Sequence, residues 1–382
     1  MWQWPFFEPH HAQVAARATK WAGVDEDGAE TRLEAVCRKV AASLGDAGLL
    51  DSVVPDVAGG GRFDLRAACL VREALAYRSV LADSVFAMQG IGSAPLLMFG
   101  TEEQQARWLP GIRSGRRIAG FALTEPGSGS DVAGIETTAR RDGDCYVLNG
   151  RKTFISNAPF ADHYIVLART GKAPGARGLT AFLVEAGAPG LVCGAPVELI
   201  ATHPVGPLTF EDCRVDAAAM IGEPGQGFRV AMATFNFYRT SVRAAALGLA
   251  RRARDLALER VTQRHLFGAP MSAMDRVRRT LADMEIALTT GGLAVYSAAW
   301  LKDSGTGRSI SEAAIAKYVG TENGWAVIDA AVQLFGGLGV TRGSEVERLF
   351  REARAMRIYE GASEVQKLII GREVLRAAGE AA

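Results

Sequence analysis

The order in which its apolar periods change constrains this chain more than any other feature. Apolar residues recur every three or four positions up to about Gly115, alternate from about Phe121 to Gly222, and then return to helical spacing. Leu33, Val36, Val40 and Leu44 mark a helix within Thr31–Leu50, and a second helical stretch runs from Leu65 to Met98. Thr101-Glu102-Glu103-Gln104 has the form of a capping box opening a third helix. In the middle, Asp144–Leu148 and Arg151–Ile155 flank Asn149-Gly150, which predicts a hairpin, and Tyr164–Ala168, Thr180–Glu185 and Leu208–Phe210 read as further strands. Long amphipathic stretches follow over Phe228–Arg260, Met274–Lys302, Ser311–Phe335 and Val346–Gly371, as in an antiparallel helical bundle. Helices, strands and helices are segregated, so the class is α+β, and the absence of βαβ alternation argues against a Rossmann domain. The expected domains are 1–118 (helical), 119–224 (β) and 225–382 (helical bundle).

Composition narrows the partners. The chain has 382 residues, 48% of them hydrophobic, enough for a sizeable core without staples. Lys+Arg 43 against Asp+Glu 42 leaves a net charge of +1, so no overall charge excess drives binding to nucleic acid or an anionic membrane, which leaves only a local basic patch for such a role. Cys37, Cys69, Cys145, Cys193 and Cys213 are odd in number and never in CxxC spacing, the pattern of a reducing compartment, and cytoplasmic location is expected. No uninterrupted apolar run of membrane-spanning length is present, and the N-terminus lacks the pattern of a removed signal. His10 and His11 are adjacent, so on a helix they should point roughly 100° apart and chelate poorly. The triple glycine Gly59-Gly60-Gly61 lacks the lysine and helix start of a phosphate cradle and reads as a loop.

Near the C-terminus stands Arg354-Ala-Met-Arg-Ile-Tyr-Glu-Gly-Ala-Ser-Glu-Val-Gln366, with one carboxylate between an aromatic residue and a glycine before a helical period resumes. Glu360 at such a bend, shielded by Tyr359 and approachable past Gly361, could have its pKa raised enough to act as a base; the same residues also suit an ordinary helix end. In the β-region, Phe121-Ala-Leu-Thr-Glu-Pro-Gly-Ser-Gly-Ser-Asp131 offers amides and hydroxyls that can approach a flat ring or a phosphate, or form a plain Gly/Ser turn.

These two stretches occur in order with Tyr146-Val-Leu-Asn-Gly-Arg-Lys-Thr-Phe-Ile-Ser-Asn157, Gly222-Glu-Pro-Gly-Gln-Gly-Phe228, Arg264-His-Leu-Phe-Gly268 and Gln333-Leu-Phe-Gly-Gly337. The ordered combination resembles the acyl-CoA dehydrogenase family over nearly the whole chain from about Leu65. The resemblance implies an N-terminal helical domain, a middle β-barrel and a C-terminal four-helix bundle. FAD would lie between the last two and at a subunit contact, in a homotetramer or at least a homodimer. It implies dehydrogenation of acyl-CoA to trans-2-enoyl-CoA, with Glu360 removing the α-proton while the β-hydrogen leaves as hydride to flavin N5. The carbonyl would be polarised by a flavin ribityl hydroxyl and the base's own amide.

The same resemblance implies a flavin contact for Phe121, Leu123, Thr124, Gly129 and Ser130, with Ser130 also near the pantetheine of the thioester. Phe154 would shield the ring, Ile155 would be a further cofactor contact, and Ser156 would donate towards N5. Arg264 would reach a neighbouring subunit's FAD pyrophosphate with Phe267 packed nearby, while Gln333, Gly336 and Gly337 would close over the adenosine side. Ser363 would also be a cofactor contact, and Asn236, Arg239, Tyr359 and Gly361 would be substrate contacts. The implied electron acceptor is an electron-transfer flavoprotein, and the acyl carrier is CoA or the phosphopantetheine arm of a carrier protein.

Several positions depart from the family pattern. Ala362 stands where threonine is usual, Glu364 and Asp275 where glutamine is usual, and Asn236 where aspartate is common. Tyr238 occupies the place where some relatives carry their base, which leaves Glu360 as the matched candidate. Arg243 stands one turn after Arg239 where a small residue is usual. It either faces the pocket, to meet an acidic or polar acyl group, or lies at the bundle surface or a subunit contact. Two other readings are an oxygen-using flavin oxidase or monooxygenase on the same fold, disfavoured by retention of Glu360, and a DNA-binding flavoprotein, disfavoured by the net charge. Phe86, Met88 and Gln89 are expected at the floor of the acyl pocket, where bulk would favour short, branched or cyclic acyl groups.

Overall fold

Val36, Val40 and Leu44 form a buried helix face as read, and the computed structural model describes residues 4–29, 31–171, 173–305 and 310–380. The chain groups into two compact units, the first comprising the described residues of Met1–Trp21, Asp64–Asp83 and Asn236–Ala382, the second Ala22–Phe63 and Ser84–Phe235.

The first unit is helical. It contains α1 (Pro9–Lys20), which the sequence reading did not assign, and α3 (Leu65–Arg78). It also holds α6 (Gly227–Gln263) from Asn236 onward, α7 (Asp275–Asp303), α8 (Ile310–Phe335), α9 (Glu345–Met356) and α10 (Ser363–Ala377). Helix α7 packs on α3 and α8, and α8 packs on α9 and α10. Close packing needs small residues: a Cβ at Gly248 of α6 would lie 2.2 Å from the carbonyl oxygen of Glu73 on α3. The start of α3 is held from α7, where Asp303 accepts from the amides of Leu65 (2.8 Å) and Arg66 (3.0 Å) and from Arg66 Nε (2.9 Å).

His10 and His11 correct the sequence expectation. Their ring centroids lie 3.9 Å apart, and both Nε2 atoms reach Asp64, at 2.8 Å (His10 to Oδ2) and 3.2 Å (His11 to Oδ1). The rings converge because Asp64, which caps α3 through the Ala67 amide, recruits them both. His11 Nδ1 accepts from the Glu8 amide at 2.9 Å, so its Nε2 carries the hydrogen and has no lone pair for a cation.

In the second unit α2 (Leu33–Asp46), α4 (Val80–Phe99) from Ser84, and α5 (Glu102–Arg113) accompany an eight-stranded sheet. The Thr101 capping box forms as read: Thr101 Oγ1 accepts from the Gln104 amide at 3.2 Å and Gln104 Oε1 from the Thr101 amide at 3.0 Å. The stretch read as one helix from Leu65 breaks at Ser79, whose extended backbone (φ −150°, ψ 117°) separates α3 from α4. Helix α4 is long and apolar enough to cross a membrane, but 78% of its most apolar window is buried in the fold, as in a core helix. Gln89 on α4 is committed to backbone rather than to a pocket floor: Nε2 donates to the carbonyls of Ile112 (3.1 Å) and Arg117 (2.7 Å), and Oε1 accepts from the Ala119 amide (2.9 Å).

The strands are β1 (Ala119–Ala122), β2 (Thr138–Asp142), β3 (Cys145–Ser156), β4 (His163–Arg169), β5 (Leu179–Glu185), β6 (Leu191–Cys193), β7 (Val205–Asp216) and β8 (Met220–Ile221). Their order is β6-β7-β3-β2-β4-β5-β8, with β1 parallel to β4. The expected Asn149-Gly150 hairpin is absent, because both residues lie inside the continuous strand β3. The real turn is Gly143-Asp144, between the paired residues Asp142 and Cys145, with Gly143 at φ 63°. Asn149 faces a bulge on β7 instead: its Oδ1 accepts from the Asp212 amide at 2.8 Å, and Asp212 takes φ 47°. Gly150 is required there for space, since a Cβ would sit 2.5 Å from Thr137 Oγ1 and the backbone is at φ 149°. Gly150→Ala is therefore expected to lower stability by more than about 1 kcal/mol, read as a lower urea midpoint at unchanged slope; an unchanged midpoint would contradict this packing.

Candidate active site

Helix α9 stops at Met356 and α10 starts at Ser363, so the amphipathic stretch Val346–Gly371 is divided at the expected bend by a loop carrying Glu360. Glu360 sits at φ 53° and Gly361 at φ 96°. A left-handed glutamate costs roughly 1–3 kcal/mol and persists only where its surroundings over-determine it. Here they do. From α8, Lys317 Nζ donates to the Met356 carbonyl at 2.9 Å, and Glu322 receives Arg357 Nε at 2.9 Å and Ser363 Oγ at 2.5 Å. From α6, Arg239 Nε donates to the Glu360 carbonyl at 3.2 Å, and Gln366 Nε2 closes the loop onto the Gly361 carbonyl at 3.0 Å. The backbone at Gly361 is one that favours glycine, and a Cβ there would push aside Gln366 Nε2, 2.5 Å away.

The loop presents two groups for chemistry. The Glu360 carboxylate is half-buried, with Oε2 shielded from solvent and without a hydrogen-bond partner. Its backbone amide donates to no acceptor among the described residues. Burial raises the Glu360 pKa, and Arg72, Lys317, Arg239 and Arg243 oppose that rise. Arg72 is neutralised in place by Asp83, through Nε–Oδ1 at 2.8 Å and Nη2–Oδ2 at 2.7 Å, with Nη1 on Ser241 at 3.1 Å. Lys317, buried, has its pKa lowered to about 8 chiefly by desolvation. Arg243 is fully buried, which removes the bundle-surface reading within this chain, and none of its three guanidinium nitrogens has a partner.

In the second unit a bulge presents the predicted flavin face. Lys152 pairs with Leu208 and Ile155 with Gly206, so Thr153 and Phe154 stand opposite the single residue Pro207, which has no N–H to offer the ladder. Phe154 takes φ 53° and is 60% exposed, whereas Ile155 is buried. Phe121 and Leu123 are also buried, Thr124 is half-buried, and Gly129 and Ser130 are exposed. A Cβ at Gly127 or Gly129 would meet nothing within 4 Å. An exposed aromatic face on a bulge beside an open glycine loop fits a planar ring system such as a flavin. Ser156 is in place but already shares its hydroxyl with His203 Nε2 at 2.8 Å; burial lowers the His203 pKa to about 4, so the ring is neutral.

The loop's anchor escaped the sequence reading. Glu125 accepts from Lys152 Nζ at 2.7 Å and from the amides of Glu136 (2.7 Å) and Thr137 (3.0 Å), and Lys152 also reaches the Leu123 carbonyl at 3.1 Å. Both side chains are buried, and nothing in a linear Glu…Lys spacing marks such a pair. Lys152→Met would leave the Glu125 carboxylate buried without its counter-charge. A loss of about 3 kcal/mol is expected, largely recovered in Glu125→Gln/Lys152→Met; equal losses in the single and double variants would refute the pairing.

The other predicted positions distribute as follows. Arg264 is exposed, and Phe267, 97% exposed at φ 53°, tips the hairpin of β9 (His265–Leu266) and β10 (Ala269–Pro270). Gln333 lies in the last turn of α8, and Gly336 and Gly337 follow on the surface. Asn236 and Arg239 lie on α6, half-buried, and Tyr359 precedes Glu360 at 40% exposure. Ser363 does not fit a cofactor contact: its hydroxyl is held by Glu322 and its amide by the Arg357 carbonyl at 3.2 Å. Lys317, Glu322, Arg72, Asp83 and His203 were not found from sequence, because buried charges on long helices and a lone loop histidine carry no local signature.

Comparison with known proteins matches three family models: acyl-CoA dehydrogenase N-terminal domain over residues 11–116, middle domain over 120–213 and C-terminal domain over 225–375. The chain is 38% identical to the human mitochondrial short-chain specific acyl-CoA dehydrogenase, across 87% of this chain and 81% of that protein. Among solved structures it is similar to a chain in that of the electron transferring flavoprotein of Acidaminococcus fermentans, with 33% identity, TM-score 0.89, and 97% and 99% of the two chains covered. It is also similar to an acyl-CoA dehydrogenase complexed with FAD from Bacillus anthracis, with 29% identity, TM-score 0.90, and 98% and 68% covered.

Proposed function

The chain belongs to the acyl-CoA dehydrogenase family and is a flavin-dependent oxidoreductase of acyl-CoA thioesters, and on that premise we propose that Glu360 is its catalytic base. The observation that carries this is the clamped left-handed bend, which holds a carboxylate oxygen without a partner beside an amide without an acceptor. The Glu360 carboxylate would remove the α-proton, while its amide, facing the thioester carbonyl, would stabilise the charge that develops on oxygen. Arg239 holds the loop through the Glu360 carbonyl, and the loop's ties to α8 limit the reorganisation that proton transfer requires.

FAD, when bound, supplies the acceptor for the β-hydrogen, which leaves as hydride. The residues assigned to hold it are Phe121, Leu123, Thr124, Gly129, Ser130, Phe154, Ile155 and Ser156, with Arg264, Phe267, Gln333, Gly336 and Gly337. Ser130, Asn236, Arg239, Tyr359 and Gly361 are assigned to substrate. Exposure of Arg264 and Phe267, and of Ile286, Leu368, Val374 and Leu375 on α7 and α10, supports a homotetramer in which neighbouring copies cover them. The domain division at 118 and 224 belongs to the same reading, as does an electron-transfer flavoprotein as oxidant. CoA is the thioester carrier by analogy with the human relative. Five free cysteines support a cytoplasmic setting.

Anaerobic titration with acyl-CoA esters should bleach the flavin of the wild type, and Glu360→Gln should bind the same ester but bleach about 100- to 10,000-fold more slowly; normal bleaching by the variant would remove Glu360 from its role. Because the base works deprotonated and its pKa is raised, kcat/KM should climb with pH through a midpoint above the ordinary glutamate range. A profile flat from pH 4.5 upward would contradict the assignment. Sedimentation of the purified protein as a monomer would rule out the tetramer.

A further inference from the structure

The least compensated charge in the first unit is Arg243. It is fully buried, and Nε, Nη1 and Nη2 all lack a hydrogen-bond partner. A guanidinium offers five N–H donors and keeps its charge at neutral pH, so an interior position with none of them used is a large desolvation cost. Its neighbours do not offset it. Arg239, one turn earlier on α6, is a cation directed to the Glu360 carbonyl, Lys317 is a second, and Asp83 is already matched bidentately to Arg72. Glu360 is the remaining anion within electrostatic reach, and its Oε2 makes no hydrogen bond.

The surroundings are shaped to keep this arginine. A Cβ at Gly320 of α8 would lie 2.8 Å from Arg243 Cβ, so the glycine leaves room for the arginine stem, with Val295 of α7 alongside. Residues four apart on a helix share a face, which puts Arg243 about 6 Å along α6 from the arginine that holds the catalytic loop. An arginine that merely filled space would be matched by a carboxylate, as Arg72 is, or replaced by an apolar side chain. The arrangement calls for an anion that arrives with the ligand.

We propose that the acyl group oxidised by this protein carries a carboxylate at its far end, and that Arg243 receives it. The inference rests on the acyl-CoA dehydrogenase reading and names the substrate class within it: a short dicarboxylic acyl-CoA. The chemistry is otherwise unchanged. Two hydrogens leave the Cα–Cβ bond, one as a proton to Glu360 and one as hydride to the flavin, and the distal carboxylate is neither consumed nor formed. Its role is to fix how far the chain enters, so that Cα stops at the base, and to offset part of the positive surplus of Arg239, Arg243 and Lys317 over Glu360.

The test uses the FAD-loaded protein and matched pairs of esters differing only by the terminal carboxylate: butyryl- and glutaryl-CoA, valeryl- and adipyl-CoA, hexanoyl- and pimelyl-CoA. For at least one pair, wild-type kcat/KM should favour the diacid by about 100-fold or more, because a site built around a polar partner rejects the analogue lacking it. Arg243→Met should lower that diacid-to-monoacid ratio by about 100-fold, and Arg243→Lys should retain part of it. A wild type that prefers the monoacid in all three pairs overturns the proposal, as does Arg243→Met slowing both members of a pair equally, which would make Arg243 a positioning residue for Glu360. If Arg243→Met does not fold, the wild-type ratio decides alone. Failure of every ester to bleach the bound flavin would instead overturn the dehydrogenase reading on which the proposal rests.

Discussion

The first unit is organised around a single backbone constraint, the left-handed turn at Glu360. A helix running unbroken from α9 into α10 would bury this carboxylate's amide in a ladder and aim its side chain along the helix face. Breaking the helix frees the amide and turns the carboxylate into a partly enclosed space. Such a backbone is unfavourable for a residue with a Cβ, so neighbouring elements must supply the difference. Helix α8 does so with one lysine and one glutamate, which take hold of Met356 on one side and Arg357 and Ser363 on the other. The structural task of α8 is therefore electrostatic as much as hydrophobic.

That arrangement makes the interior unusually cationic. Lys317 and Arg239 both serve the loop's carbonyls, and each adds a positive charge near Glu360. Those charges favour the ionised base, whereas burial favours the protonated one, and burial prevails. The balance leaves the Glu360 pKa above that of an ordinary glutamate, which makes its carboxylate a stronger base. Arg72 shows how this protein treats a buried arginine that is purely structural: it is enclosed with its own aspartate and a serine. Arg243, without such partners, belongs to a different category of side chain.

The second unit solves a different problem with strand irregularities. The two bulges on the β3–β7 pairing have opposite senses: one is on β7 at Asp212, answered by the Asn149 side chain, and the other is on β3 at Phe154, opposite Pro207. The first keeps the ladder aligned past a glycine with no room for a Cβ, and the second turns an aromatic ring out of the sheet. Between them lies Lys152, whose ammonium holds Glu125 and through it the loop that begins at Thr124. A buried ion pair thus fixes the loop's entry, while its exposed glycines leave the far side open.

Sequence alone carried the class of fold, the change from helix to strand and back, the Thr101 cap, and the bend at Glu360, because these rest on local periods, local capping chemistry and an ordered set of short motifs. It misread Asn149-Gly150, since a dipeptide suited to a two-residue turn is equally suited to a bulge when a partner strand lies opposite; only the pairing with β7 decides between them. It treated His10 and His11 as diverging, because helical geometry sets Cβ directions but not the reach of a capping aspartate from another helix. It could not tell whether Arg243 faced solvent or the interior, nor see that Glu322 and Lys317 hold the loop that carries Glu360. Those facts depend on which helix faces meet, and that is settled by packing between segments far apart in the chain, where a residue's charge matters only once its neighbours are known.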